Sequence, residues 1–205
     1  AGKFTLEEVP VHIEALLGNI ASMLGQKARD KGLVFHTETI SLPHNLYGDP
    51  TRLQQAFLNY AANALKFTQT GRIVLRVSAD AQTSTTATLR FEVEDTGIGV
   101  DPAALPKLFS AFEQADNSTT RRFGGTGLGL AIVRHIALAM GGDSGASSQL
   151  GAGSQFWFTC WLTIAHQTAV TAPAAAQQEA RLRTLTAGRR VLLAEDEPIN
   201  REIVC

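Results

Sequence analysis

Asn59 and Asn63 stand four residues apart in the stretch Asn59-Tyr60-Ala61-Ala62-Asn63-Ala64-Leu65-Lys66-Phe67-Thr68, whose apolar spacing is that of a helix. Four residues make about one turn, so the two amides share a face and Lys66 lies one turn beyond Asn63. An amide oxygen is a neutral hard ligand, and magnesium keeps waters and phosphate oxygens in its shell, so one asparagine suffices to hold it. Lys66 would then neutralise phosphate charge. Taken alone, two solvated amides and a surface lysine explain the segment as well. Asp95-Thr96-Gly97-Ile98-Gly99 directly follows a strand pattern; its carboxylate suits an exocyclic amine on a purine, and its glycines admit a flat ring close to the backbone. A tight turn capped by aspartate is the alternative. Gly125-Thr126-Gly127-Leu128-Gly129 opens a helix, where bare N–H groups and the helix N-terminus favour an anion, or where the glycines serve as a hinge. No Lys-Ser/Thr follows them, so this is not a P-loop, and no Gly-x-Gly-x-x-Gly occurs in the chain. Gly151-Ala152-Gly153-Ser154 feeds a last strand.

Periodicity supplies the elements that must position these groups. From about Val9 to Lys31, residues Val11, Ala15, Leu16, Ile20, Met23, Leu24 and Ala28 approximate one helical face, and Gly32 stands at the C-terminal stop. Leu33 to Ile40 reads as a strand. Asp49-Pro50 supplies an N-cap and a first-turn proline for a helix reaching about Thr68, with Leu53, Ala56, Phe57, Tyr60, Ala61, Ala64 and Leu65 on its core side. Arg72 to Ala81 and Ala87 to Glu94 alternate with period two across the polar turn Asp80 to Thr86, predicting a hairpin with one covered face. A short helix is expected near Pro102, and Glu113 to Phe123 is polar without periodicity. The helix Leu130 to Met140 ends at Gly141-Gly142, and strands near Asp143 to Ser148 and Ser154 to Ile164 complete the pattern. Residues 165–188, rich in Ala, Thr and Gln, read as a linker with a nascent helix around Ala174 to Leu185. Arg190 to Ala194 is a compact apolar strand followed by Glu195-Asp196-Glu197-Pro198.

Composition narrows the classes. The 205 residues are 44% hydrophobic and 18% charged with a formal charge of −1, which is ordinary globular composition. Near-neutral charge removes the electrostatic case for nucleic acid or a polybasic membrane contact. Two cysteines, Cys160 and Cys205, exclude a disulfide scaffold and a multi-cysteine zinc site. Apolar runs such as Ile136 to Met140 fall far below the ~18 residues of a membrane span, and no charged-then-apolar leader opens the chain. A cytoplasmic location is expected, whether or not a fuller protein is anchored in a membrane.

In order, the segments read N-x-x-x-N-A-x-K-F-T, D-x-G-x-G, F-x-x-F (Phe109-Ser110-Ala111-Phe112), G-x-G-L-G-L and G-x-G-S-x-F. This set resembles the N, G1, F, G2 and G3 boxes of the catalytic ATP-binding domain (HATPase_c) of sensor histidine kinases, of the GHKL superfamily. The resemblance covers about residues 4 to 164. It implies the Bergerat fold: a two-layer α/β sandwich whose mixed, mainly antiparallel sheet is covered by helices on one face, with ATP under a lid. By position, Asn63 would coordinate Mg²⁺, Asn59 and Lys66 would contact phosphates, and Phe67 would flank the nucleotide. Asp95 would recognise the adenine amino group, with Gly97 and Gly99 shaping the pocket. Gly125, Thr126, Gly127, Leu128 and Gly129 would close over the phosphates. Phe109 and Phe112 would anchor the lid, Glu113 to Phe123, or simply fill the core. Arg121 and Arg122 are phosphate contacts or a solvated pair. The chain departs from the pattern at Tyr60, where leucine is usual, and at Ser144, where an apolar residue is usual after the paired glycines. Gln114 stands where some members carry an arginine.

ATP-hydrolysing GHKL members resemble one another in a glutamate four positions before the magnesium asparagine, the general base for water. That position is Asn59 here, and an amide has no useful basicity near neutral pH. The implied activity is therefore transfer of the γ-phosphoryl group to a histidine on a separate dimerisation domain. None of His12, His36, His44, His135 or His166 has the acidic residue and proline that typically follow the acceptor, so residues 1–164 are not expected to label themselves. Residues 189–205 resemble the first strand and acidic loop of a receiver domain, which suggests a hybrid kinase. The competing classes are a nucleotide-binding pseudokinase or scaffold, and an ATPase machine.

Overall fold

The computed structural model describes residues 5–105, 108–109 and 128–165. The chain divides into two compact units, Ala1–His166 and Gln167–Cys205, of which the second, with the expected linker and receiver-like strand, lies outside the described residues but for Ala165, which belongs to the first.

The first unit is built on one helix. The Asp49 carboxylate accepts from the Arg52 amide at 2.9 Å and Pro50 opens the first turn, so α2 runs Pro50–Phe67. All seven residues expected on its core side are buried. Its far end is capped from outside: the Lys31 ammonium donates to the Leu65 carbonyl at 2.6 Å, one of the acceptors a helix end leaves without a partner.

The helix α1 spans Ile13–Asp30, and Gly32 follows it at φ 68°. Val9–Pro10, expected inside this helix, is instead a short strand, β1. A residue before proline is pushed towards extended backbone, and Val9 has an antiparallel partner in β3 (Leu46–Gly48), a strand absent from the sequence reading. The later start moves the buried stripe, so Ile13 and Leu17 are inside while Ala15 and Met23 are exposed. His12 is the exposed N-cap residue rather than a residue on the helix surface.

The remaining strands are β2 (Val34–Ile40), β4 (Arg72–Gln82), β5 (Thr86–Asp95), β6 (Ser144–Gln149) and β7 (Gly153–Ile164). The hairpin turn between β4 and β5 is tighter than expected, because both strands extend into it. The sheet order is β1-β3-β7-β5-β4-β2, with β6 also on β7; only β2 and β4 pair in parallel. A third helix, α3 (Gly129–Ala139), precedes β6. Near Pro102 there is only a hydrogen-bonded turn, Ala104 and Leu105 both donating to the Asp101 carbonyl.

Helices cover one face of this mixed, mainly antiparallel sheet, as the Bergerat fold requires. Phe57 of α2 meets Phe91 of β5 edge-on at 5.3 Å, and Phe91 stacks on Phe158 of β7 at 4.8 Å, giving the core an aromatic centre. The opposite face carries arginines and glutamates: Arg72 with Glu94 at 3.0 Å, Arg76 with Glu38 and Glu92, and Arg90 with Glu92 at 3.2 Å. Among the described residues no helix is long and apolar enough to cross a membrane.

Candidate functional site

Asn59, Asn63, Lys66 and Phe67 are all half-buried, along the border between the buried stripe of α2 and solvent. The Lys66 ammonium lies 4.7 Å from the centroid of the Phe67 ring. Gly129, the first residue of α3, abuts this border so closely that a Cβ there would stand 3.3 Å from Asn59 Oδ1. Leu128 precedes it, with no side-chain cap and no acidic residue in the first turn of α3. The positive end of a helix dipole, with backbone N–H groups that no side chain satisfies, thus adjoins Asn59. Amide oxygen, ammonium and helix N-terminus together suit a polyanion carrying a hard cation.

The second half of the site begins where α2 ends. Asp95, the last residue of β5, is 6% exposed. Its Oδ1 accepts from the Gly97 amide at 2.8 Å and from the Thr68 hydroxyl at 3.5 Å, and β7 places Ser154 opposite it. Burial raises the Asp95 pKa above the ordinary carboxylate value; hydrogen bonds from Gly97, Thr68 and the Ser154 backbone oppose that rise, and Glu94 adds to it. The result is a buried carboxylate held in one orientation.

The loop after Asp95 is fixed from two sides. Ile98 donates to the Phe67 carbonyl at 3.3 Å, Gly151 donates to the Ile98 carbonyl at 2.7 Å, and Val100 donates to Ser148 Oγ at 2.8 Å. Side chains would break this arrangement. A Cβ on Gly97 would meet the Phe67 carbonyl oxygen at 2.6 Å, and one on Gly99, at φ 69°, would meet the Gln149 carbonyl oxygen at 2.1 Å. Phe67 and Thr68 therefore join the two halves: the Asn59–Lys66 border runs directly into the Asp95 loop.

The structure thus brings together Asn59, Asn63, Lys66, Phe67, Asp95, Gly97, Gly99, Leu128 and Gly129. Arg121, Arg122, Gly125, Thr126 and Gly127 lie outside the described residues, as do Phe112, Gln114 and the expected lid. Phe109 is partly buried against the core. Sequence reasoning gave no role to Thr68, Ser148, Ser154 or Lys31. Thr68 and Ser154 were visible as members of their motifs, but their convergence on Asp95 depends on strand register. Among the described residues no group of three or more His, Cys, Asp or Glu side chains could hold a metal ion.

Residues 48–164, more than half of the chain, match the family described as histidine kinase-, DNA gyrase B-, and HSP90-like ATPase. The chain belongs to this family, HATPase_c. It is 42% identical over 159 residues to the signal transduction histidine-protein kinase BarA of Escherichia coli (strain K12), covering 77% of this chain and 17% of BarA. It is 34% identical to the sensory/regulatory protein RpfC of Xanthomonas campestris pv. campestris, over 100% of this chain and 31% of that protein. Among solved structures, full-length ShkA in complex with AMPPNP matches with a TM-score of 0.69 and 33% identity, covering 99% of this chain and 44% of ShkA. The catalytic domain of the histidine kinase ThkA matches with a TM-score of 0.62 and 25% identity, covering 75% of this chain and 95% of that domain. This HATPase_c chain is thus a histidine-kinase-type domain with homology to hybrid sensor kinases, and it spans a minor part of the curated relatives it matches.

Proposed function

We propose that this domain binds ATP with Mg²⁺ and donates the γ-phosphoryl group to a histidine on a separate dimerisation domain of the same protein. The observation that carries the reading is the continuity of the two half-sites through Phe67 and Thr68: an acceptor suited to the adenine amine at one end, phosphate-binding groups at the other. Asp95 accepts from the exocyclic amine, and Gly97 and Gly99 leave room for the purine plane. Lys66 and the N-terminal amides of α3 neutralise the phosphates, joined by Asn59 and, from the residues outside those described, Arg121, Arg122, Gly125, Thr126 and Gly127. AMPPNP, an ATP analogue, in ShkA supports ATP as the ligand.

The residues present fit magnesium in a specific way. Asn63 offers a neutral oxygen on the same face as Asn59, and with no carboxylate or imidazole cluster nearby the cation must arrive with phosphate and water oxygens. Magnesium, when bound, supplies charge neutralisation to the phosphates. The chain's own contribution is positioning, since phosphoryl transfer needs little covalent help from protein. With an amide at Asn59, no general base faces the γ-phosphate from α2, so water is not activated there and the phosphoryl group is kept for a protein acceptor.

Residues 1–164 then form the catalytic part, 165–188 a linker, and 189–205 the start of a receiver domain, a second partner in the relay. Neither nucleic acid nor membrane is a partner of this region, and it works in the cytoplasm. The deciding experiment supplies labelled ATP and the histidine-bearing hairpin of the same protein. Label should reach the hairpin with wild-type chain and not with Asn63→Ala, whose fold alanine leaves intact at a helical position. Transfer by Asn63→Ala at the wild-type rate, or rapid steady-state hydrolysis without a hairpin, would overturn the reading.

A further inference from the structure

Tyr60 and Ser144, the two described positions where the chain departs from its family's pattern, meet in the structure. Tyr60 is 1% exposed, its ring 5.5 Å from that of Phe156 and 6.0 Å from that of Phe158, so it fills an apolar seat on β7. Its hydroxyl does what leucine could not: it donates to the Trp157 carbonyl at 3.3 Å. Ser144, the first residue of β6, pairs with Phe158, and its Oγ is closed off from solvent with no hydrogen-bond partner at bonding geometry. The Tyr60 hydroxyl is the group that acts on it, with Asp143 adding a weaker electrostatic influence. A phenol has one proton and two lone pairs. With the proton committed to Trp157, the lone pairs are open to the Ser144 O–H, and a small side-chain rotation closes the pair. Leaving a buried hydroxyl unpaired would be costly, so the closed pair is the favoured state.

The location gives this pair a consequence for the site. Tyr60 follows Asn59 directly and stands one turn before Asn63 and Ala64 on α2. Ser144 and Trp157 belong to the β6–β7 hairpin, whose turn binds the Gly99 loop through Gly151 and Ser148. An apolar side chain in the Tyr60 seat would hold α2 by non-directional contact and leave its rotation soft. A hydrogen bond at each side of one hydroxyl is directional.

We propose that Tyr60 is a positioning residue whose hydroxyl, bridging the Trp157 carbonyl and the Ser144 hydroxyl, ties the asparagine-bearing helix to the hairpin that holds the Gly99 loop. One rigid hairpin then sets the separation between the phosphate and adenine halves of the site. The inference rests on the nucleotide reading above.

The test uses the 205-residue chain and calorimetric titration with Mg·AMPPNP and with adenosine, which engages the adenine half alone. Tyr60→Phe keeps the ring and removes the bridge; it should weaken Mg·AMPPNP binding by about 2- to 10-fold, the span of one or two neutral hydrogen bonds, and leave adenosine within about twofold. Ser144→Ala should shift affinity in the same direction by less, and the double variant should lose less than the product of the two singles. Equal losses for both ligands, or multiplicative losses, would overturn the inference, because loosened packing alone produces them. Should Tyr60→Phe fail to fold, Ser144→Ala decides alone: an unchanged ratio of the two affinities refutes the bridge. Wild-type chain that binds neither ligand would sink the nucleotide reading itself, whereas wild-type binding with unmoved variants sinks only the role of Tyr60.

Discussion

Gly99→Ala is a demanding test of the site, because its cost follows from the geometry and has an internal control. At φ 69° an added Cβ would stand 2.1 Å from the Gln149 carbonyl oxygen, 2.7 Å from its carbon and 2.9 Å from Leu150 Cα. All three neighbours are backbone, so the loop must move away from the β6–β7 turn. Moving it breaks the bonds from Gly151 to Ile98 at 2.7 Å and from Val100 to Ser148 at 2.8 Å. Left-handed strain of about 1–2 kcal/mol and two hydrogen bonds of about 0.5–1.5 kcal/mol each give roughly 2–5 kcal/mol, shared between folding and adenine binding. Gly151 is the control: its φ is 79°, yet a Cβ there would meet nothing within 4 Å. Gly151→Ala should therefore show the backbone strain alone, about 1–2 kcal/mol. Urea unfolding gives the stability part and calorimetric titration with Mg·AMPPNP the binding part. If Gly99→Ala proves as mild as Gly151→Ala in both, the loop is not held as described and its place in the site is wrong.

Other perturbations probe separate links. Nucleotide affinity should fall on acidification through the Asp95 pKa, because only the ionised carboxylate accepts from the adenine amine. Burial raises that pKa, so the fall should begin at a less acidic pH than for an exposed carboxylate, and Asp95→Asn should bind weakly with that step absent. The linkage to stability has the opposite sense: the folded state holds this proton more tightly, so the Asp95 contribution to stability is lost as pH rises from the unfolded to the folded pKa, a trend that urea midpoints across pH would reveal. Asn59→Glu places a carboxylate where the family's hydrolysing members have their base, and steady-state phosphate release should rise; no rise would show that the amide is not what spares ATP. Phe57→Ala removes a fully buried ring at the centre of the aromatic cluster and should cost about 3–5 kcal/mol in denaturant unfolding.

Local chemistry made half of this protein legible. The Asp49 cap, Pro50 and the seven-residue stripe fix α2 because cap geometry and the helical repeat act within a turn or two. For the same reason Asn59, Asn63 and Lys66 could be placed on one face before any fold was known. Where α1 begins was not so determined: Val11, Ala15 and Met23 fit a helical stripe as well as Ile13 and Leu17 do, and contact with the rest of the core chose between them. Strands as short as β1 and β3 carry no readable alternation; they exist because β7 offers an edge to pair with. Tertiary structure also decided the company each motif keeps. Asp95 faces Ser154, Gly99 lies against Gln149, and Tyr60 finds Ser144 because long-range pairing brings distant strands into register. Register is a property of the assembled sheet, since each strand fixes only which of its own side chains share a face.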